Sequence, residues 1–338
     1  MKCIHCETNS NLKDRADGRC PKCGHAFAFE PTTDSLKMTD GLFNGAIQTV
    51  SAKGELFYTD RQLFWEINRF LEKKKLPGCT LGKKKTPESA VKPPQMSWSD
   101  FQSTHLPRWV AVHGRPEKLV NATPAATAAP VPAELQSYSF DRALIVESAA
   151  LAAMLVANRF HFENNCAILS LDRKYPAATT FETVLAMLQR NPNLAVFTIH
   201  DCAAPSLNMA QTLRGPDWFP DLSVRIFDLG LRPGQLPKNG QLGFPGVAPL
   251  PLPPAAEALS ESERTWLSAG NQVELSVLRP GKLMKSVYMG FSQASQYATG
   301  DAWVDSGYGF VYIGDPYPIW GGGVETSGMD SGGYDSFG

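Results

Sequence analysis

Three short, almost wholly apolar runs constrain this chain more than any other feature. They are Ala143-Leu144-Ile145-Val146, Cys166-Ala167-Ile168-Leu169-Ser170-Leu171 and Leu194-Ala195-Val196-Phe197-Thr198-Ile199. Segments of helical character separate them, from Ser148 to Asn158 and from Phe181 to Arg190. A third helix, Ser206 to Leu213, and a fourth strand, Ser223 to Phe227, complete the unit. A strand that faces water on one side alternates polar and apolar residues. A strand without that alternation is buried on both faces, which requires a parallel sheet covered by helices. The fold class is therefore α/β. In such sheets ligands and chemistry collect just past the carboxyl ends of the strands. The first run ends on Glu147 and the third on His200-Asp201, so Glu147 and Asp201 are the candidate catalytic residues.

The first 30 residues follow a different logic. Cys3-Ile4-His5-Cys6 and Cys20-Pro21-Lys22-Cys23-Gly24 are two Cys-x-x-Cys knuckles. Each brings two thiolates to one ion, and two of them complete tetrahedral S₄ coordination. This spacing reads as a zinc ribbon, with Cys3, Cys6, Cys20 and Cys23 as ligands of a structural Zn²⁺. His5 and His25 read as bystanders. A segment this short has too little core to fold without the metal. The other three cysteines are scattered, Cys166 and Cys202 in or beside strands. That usage suits a reducing, cytoplasmic compartment. Cys3, His5 and Cys6 stand where a secretory leader would need an apolar core. No run approaches the roughly 20 apolar residues that span a bilayer, so no membrane partner is expected.

Residues 36–120 read as a winged-helix-like module. Two helices are expected between Thr39 and Lys75, with Thr59-Asp60-Arg61-Gln62 as a capping box and Leu63, Phe64, Ile67, Phe70 and Leu71 at helical spacing. A helix from Ser99 to Leu106 then leads to a strand, Trp109-Val110-Ala111-Val112. Residues 1–120 carry 19 Lys and Arg against 13 Asp and Glu, whereas the rest carry 13 against 20. The basic excess gathers at Arg61, Arg69, Lys73, Lys74, Lys75, Lys83, Lys84 and Lys85, the candidate nucleic-acid contacts. Residues 121–134, rich in Ala, Pro and Thr, read as a linker. Residues 135–233 hold the α/β unit. Residues 234–322 read as irregular, with a polar helix from Ala255 to Ala269 and a secondary start at Ser260. Leu275 to Met289 gives no clear pattern. Trp303 to Trp320 has enough apolar residues to pack, and residues 323–338 read as a mobile acidic tail.

Glu147 after a first strand and Asp201 after a third resemble the acid pattern of a TOPRIM domain. Tyr58-Thr59-Asp60-Arg61-Gln62-Leu63-Phe64-Trp65 is similar to the winged-helix motif of the topoisomerase VI A subunit and related meiotic break-forming proteins. The order, winged helix then TOPRIM, matches too, over roughly residues 39–227. The resemblance implies DNA as a partner and Mg²⁺ at the acids. Two departures weaken its catalytic half. The family's nucleophilic tyrosine falls at Trp65, and its Asp-x-Asp becomes Asp201-Cys202-Ala203. Two carboxylates leave Mg²⁺ under-coordinated unless Asp172 or Asp228 joins them. Arg173 and Lys174 could neutralise the acids without a metal. The expected function is a non-catalytic nucleic-acid-binding or scaffold subunit of a multi-protein assembly, built from topoisomerase-like parts. A metal-dependent TOPRIM nuclease acting on DNA and a zinc-ribbon adaptor for other proteins are the alternatives.

Overall fold

The computed structural model describes residues 1–15, 17–74, 91–120, 140–191, 193–220, 224–236, 241–297 and 310–311. The expected linker, the acidic tail, most of Trp303 to Trp320, and Lys75, Lys83, Lys84 and Lys85 lie outside them. In chain order the helices are α1 (Asp40–Val50), α2 (Asp60–Lys74), α3 (Trp98–Asp100), α4 (Leu106–His113), α5 (Ala149–Ala157), α6 (Phe160–Glu163), α7 (Ala178–Gln189), α8 (Met209–Thr212), α9 (Glu261–Ser268) and α10 (Pro280–Tyr297). The strands are β1 (Val91–Lys92), β2 (Arg142–Val146), β3 (Cys166–Ser170), β4 (Ala195–Ile199), β5 (Arg225–Asp228), β6 (Gln241–Leu242) and β7 (Phe310–Val311).

Strands β3-β2-β4-β5-β7 form one sheet in that order, and every pairing is parallel. Side chains alternate across a strand, and here both faces are dry. Leu144, Val146, Ile168, Phe197, Ile199 and Phe227 pack with Leu151, Met154 and Leu155 of α5 and with Leu283, Val287 and Phe291 of α10. Ala143, Ile145, Ala167, Leu169, Val196 and Ile226 pack on the opposite face with Phe181, Leu185 and Leu188 of α7 and with Met209 and Ala210 of α8. That double burial is why the strands carry no polar alternation. Ser148 caps α5 through its hydroxyl, which accepts the Leu151 N–H. The chain leaves β2 for β3 on one side and returns to β4 on the other. The reversal puts a topological switch point between the ends of β2 and β4.

In the helical module the capping box forms as expected. The Thr59 hydroxyl accepts the Gln62 N–H at 3.1 Å, and Gln62 Oε1 accepts the Thr59 N–H at 3.0 Å. The expected strand Trp109-Val110-Ala111-Val112 is instead helix. Ser97 caps a continuous helical stretch from Trp98 to His113, with a π-helical turn at Phe101–His105, ending at Gly114. The β-branched Val110 and Val112 are the strand signal. Burial decides against it: Phe101, His105 and Trp109 recur every four residues and are buried, whereas Val110 is exposed. Among the described residues, β1 pairs with β6, far along the chain, so no β-hairpin wing is built from residues 91–120.

The region after residue 234 is more ordered than its Gly and Pro content suggests. The expected Ala255–Ala269 helix is divided. A 3₁₀ turn, Pro254–Ala258, precedes α9, which starts at Ser260 through a capping box with Glu263. The 18-residue α10 occupies the stretch whose pattern is unclear in sequence. Between them, Val273 pairs with Cys202 in an antiparallel bridge, which carries Glu274 and Leu275 to the end of β4. Among the described residues, no helix is long and apolar enough to cross a membrane.

Candidate functional site

The two knuckles are built alike. Lys2 bridges Asn9 around the first, and Arg19 bridges Ala26 around the second. In each, the first cysteine's N–H and carbonyl close the turn: Cys3 with Thr8 and Glu7, Cys20 with His25 and Gly24. Glu7 and Gly24 hold equivalent left-handed conformations, φ 60° and 70°. Only the second knuckle places the residue suited to it there. Arg15, 5% exposed, ties the knuckles together through a bidentate pair with Glu30 and a bond to the Ser10 carbonyl.

The four Sγ atoms all lie within 4.8 Å of one another. Cys3 to Cys23 is 3.8 Å and Cys6 to Cys20 is 3.5 Å. The edge of a regular tetrahedron of thiolates around zinc is about 3.8 Å, from a metal–sulfur bond of about 2.3 Å. The Thr8 hydroxyl, 3.4 Å from Cys6 Sγ, and the Thr8 backbone lower that thiol to about 6. The His25 backbone N–H favours the Cys23 thiolate, but desolvation and the three neighbouring sulfurs push it up to about 12. Four sulfurs this close cannot all ionise unless a cation neutralises them. The donor set therefore fits a soft, tetrahedral metal ion, held in a closed site with no position for a reacting water. The cysteines are the expected four. Neither His5 nor His25 belongs to the group.

The acids meet at the switch point, as the strand order requires. Glu147 Oε2 accepts the Asp201 N–H at 2.7 Å, and Oε1 accepts the Ser206 hydroxyl at 2.7 Å. Asp201 Oδ1 accepts the Leu275 N–H at 2.7 Å. Burial, then the charge of Glu147, raises Asp201 to about 7. Neutralisation by Arg173 and Lys174 does not occur. Arg173 binds Glu182 and lies over Phe181 and Trp218, and Lys174 pairs with Asp172. Backbone N–H groups and Ser206 bind the acids instead without neutralising them, which a sequence cannot show. Asp172 also accepts the Ser170 hydroxyl. Asp228 is committed elsewhere. Among the described residues, the four cysteines are the one group of metal-ligating side chains close enough to share an ion.

Asp228 forms a second buried cluster beside the acids. His200 Nε2 lies 3.1 Å from Asp228 Oδ1, while Nδ1 is 2.8 Å from the Asp201 carbonyl. Arg232 and the Gly230 N–H also reach Asp228. Burial opposes the imidazolium, but Asp228, the Asp201 carbonyl and Glu147 outweigh it and raise His200 to about 8. Burial likewise opposes the Asp228 carboxylate, but His200 and Arg232 hold it well below the usual carboxylate range.

The signs give a pH prediction. A raised histidine stabilises fully below its free value of about 6.5 and loses that contribution as pH rises through about 8. The depressed Asp228 stabilises above its free value of about 3.9 and loses that only in acid. The raised Asp201 destabilises with rising pH, but that decline ends near its value of about 7. Urea unfolding of the metal-loaded protein should therefore show stability falling by about 1 kcal/mol between about pH 7 and 9. Asp228→Asn should remove that fall. A flat wild-type profile there would refute the buried charged pair.

The proposed nucleic-acid residues are distributed unevenly. Arg61 donates to Glu274 from Nε at 2.6 Å and from Nη2 at 2.5 Å, and lies 4.4 Å from the Trp98 ring centroid. Arg69 donates to Glu66 and the Val277 carbonyl. Glu66, 1% exposed, also takes a bidentate pair from Arg279. Lys73 is exposed near the end of α2. Trp65 is buried, and its indole N–H donates to Glu274 at 2.8 Å. Tyr58 is buried too. Glu274 joins Arg61, Trp65 and Ser276, yet no local motif marks it, because Arg61 and Trp65 lie about 210 residues away. No protein-family model, no curated protein and no solved structure matches this chain.

Proposed function

We propose that this protein is a non-catalytic scaffold subunit of a multi-protein assembly, with a zinc ribbon and a TOPRIM-like sheet that has lost its chemistry. The observation carrying this reading is the state of the acidic pair. Both Glu147 oxygens and Asp201 Oδ1 accept the chain's own Asp201 N–H, Ser206 hydroxyl and Leu275 N–H, a poor start for a hard cation, which wants six or so oxygen ligands. The buried Trp65 and Tyr58 offer DNA no accessible hydroxyl nucleophile. Zinc is the metal proposed for the four cysteines, and the reduced thiols suit a cytoplasmic setting.

Nucleic-acid binding by the front half remains part of the proposal, carried by Lys73 and Lys74 at the end of α2 and by Lys75, Lys83, Lys84 and Lys85. The engagement of Arg61 and Arg69 with Glu274, Glu66 and Val277 favours the adaptor reading, in which the partner is a protein. The test combines two assays. Plasmid incubated with the protein and Mg²⁺ or Mn²⁺ should stay uncut. Nicking that disappears in Asp201→Ala would replace the scaffold by the nuclease reading. Gel shifts should weaken with salt if phosphates are contacted, and Lys83→Glu/Lys84→Glu/Lys85→Glu should lower that slope. No shift at low salt would leave the protein-binding adaptor.

A further inference from the structure

The ribbon meets the rest of the chain along one stripe of the Trp98–His113 helical stretch. His105, Trp109 and His113 stand four residues apart and share one face. His105 lies 6.0 Å from the Phe29 ring, Trp109 lies 4.7 Å from Phe43 of α1, and His113 lies 5.0 Å from His25. His113 is the centre. Its Nδ1 is 3.1 Å from His25 Nε2, and its Nε2 is 2.7 Å from Asp40 Oδ2. Asp40, fully buried at the start of α1, also accepts the N–H groups of Ala28 and Phe29.

The hydrogen bonds have a direction. With backbone donors on both oxygens, Asp40 acts as the acceptor, so His113 donates through Nε2. In the neutral imidazole Nδ1 is then the acceptor, and His25 donates to it. His25 in turn is held by the second knuckle: it follows Cys23 by two residues, and its backbone N–H donates to that sulfur. Its ring stacks on His5 at 5.2 Å and 10°, and His5 lies between Cys3 and Cys6. Both knuckles therefore set where the His25 ring stands.

We infer that the ribbon is a metal-dependent clasp on the helical module. The ion in the cysteine cluster seats His25 against His113, and through His113 and Asp40 this steadies the start of α1 and the end of the Trp98–His113 stretch. The inference rests on the metal reading of the four cysteines and adds to it a long-range consequence. His113 is a positioning residue, not a ligand. Without the ion the knuckles have little core of their own, so His25 leaves and two helices lose a shared anchor.

Hydrogen exchange of the full chain, with zinc content measured on the same samples, tests this. In the wild type, chelation should remove about one zinc. It should raise exchange in residues 40–50 and 106–113 roughly tenfold or more, with little change in residues 142–146 and 195–199. His113→Phe keeps a ring against Trp109 and His25 but no hydrogen bonds. It should retain its zinc yet exchange faster in both helices, and chelation should then add little. His113→Gln, which can still donate to Asp40, should recover part of the protection. Complete zinc loss with unchanged exchange in residues 40–50 and 106–113 would overturn the clasp and leave the metal site standing. Equal loosening of the sheet would overturn its locality. A wild-type protein purified without zinc would overturn the metal reading and the clasp with it.

Discussion

Cys20→Ser should reduce the zinc content of the freshly purified protein from about one ion per chain to near zero. Cys20 is 2% exposed, and its sulfur lies 3.5 Å from Cys6, on an edge of the sulfur tetrahedron. A serine hydroxyl is a poor ligand for a thiophilic ion and stays protonated. The loss of affinity should exceed the roughly 10- to 100-fold that follows removal of an outer-sphere contact. In metal-dependent miniature domains, binding supplies on the order of 10–16 kcal/mol, most of the folding free energy. The ribbon should therefore become protease-sensitive between Met1 and Glu30 while the parallel sheet persists. A Cys20→Ser protein that keeps its full zinc content would refute the four-thiolate site, because among the described residues no fifth ligand stands within the group.

Gly230→Ala should be the most damaging single methyl in the sheet region. A Cβ at Gly230 would lie 2.0 Å from His200 Nε2 and 2.3 Å from its Cδ2. The ring cannot step aside cheaply. It is 1% exposed, and both nitrogens are engaged, with Asp228 and with the Asp201 carbonyl. Displacing it would separate a buried ion pair, which typically costs about 3–5 kcal/mol. Overpacking adds to that. For a chain of this size such a loss lowers Tm by roughly 10 °C. Thermal and urea unfolding measure it directly. The double variant His200→Ala/Gly230→Ala should be little worse than His200→Ala alone, because without the ring the added methyl has space. A Gly230→Ala protein melting with the wild type would show that the close packing is not maintained in solution.

Each of these sites was visible in the sequence to a different degree, for reasons of range. The clustered cysteines sit in two local turns of four residues, so spacing alone names them. The three core strands were legible because burial on both faces leaves a local mark, an unbroken apolar run. The capping boxes at Thr59 and Ser260 are local as well. Trp109–Val112 was misread because its two valines favour a strand locally, while the contacts that fold it as helix, Phe43 on Trp109 and His25 on His113, come from other elements. The irregular look of the region after residue 234 likewise hid α10, whose Leu283, Val287 and Phe291 acquire their meaning only against the sheet.

The candidate acids divide along the same line. That Glu147 and Asp201 end neighbouring strands follows from the strand pattern and the switch-point rule. What surrounds them does not. Ser206, the Leu275 N–H, Glu274 and the His200–Asp228 pair reach the site through loops and a bridge between Cys202 and Val273. The two arginines of α2 behave in part the same way: the Arg69–Glu66 pair is local, but Glu274 on Arg61 and the Val277 carbonyl on Arg69 are placed by packing. Two cysteine knuckles and a parallel α/β sheet were legible without the fold, because each is encoded within a few consecutive residues. The tertiary structure decided which polar groups are free to act, because a hydrogen bond depends on ångströms between atoms that the chain may separate by 200 residues.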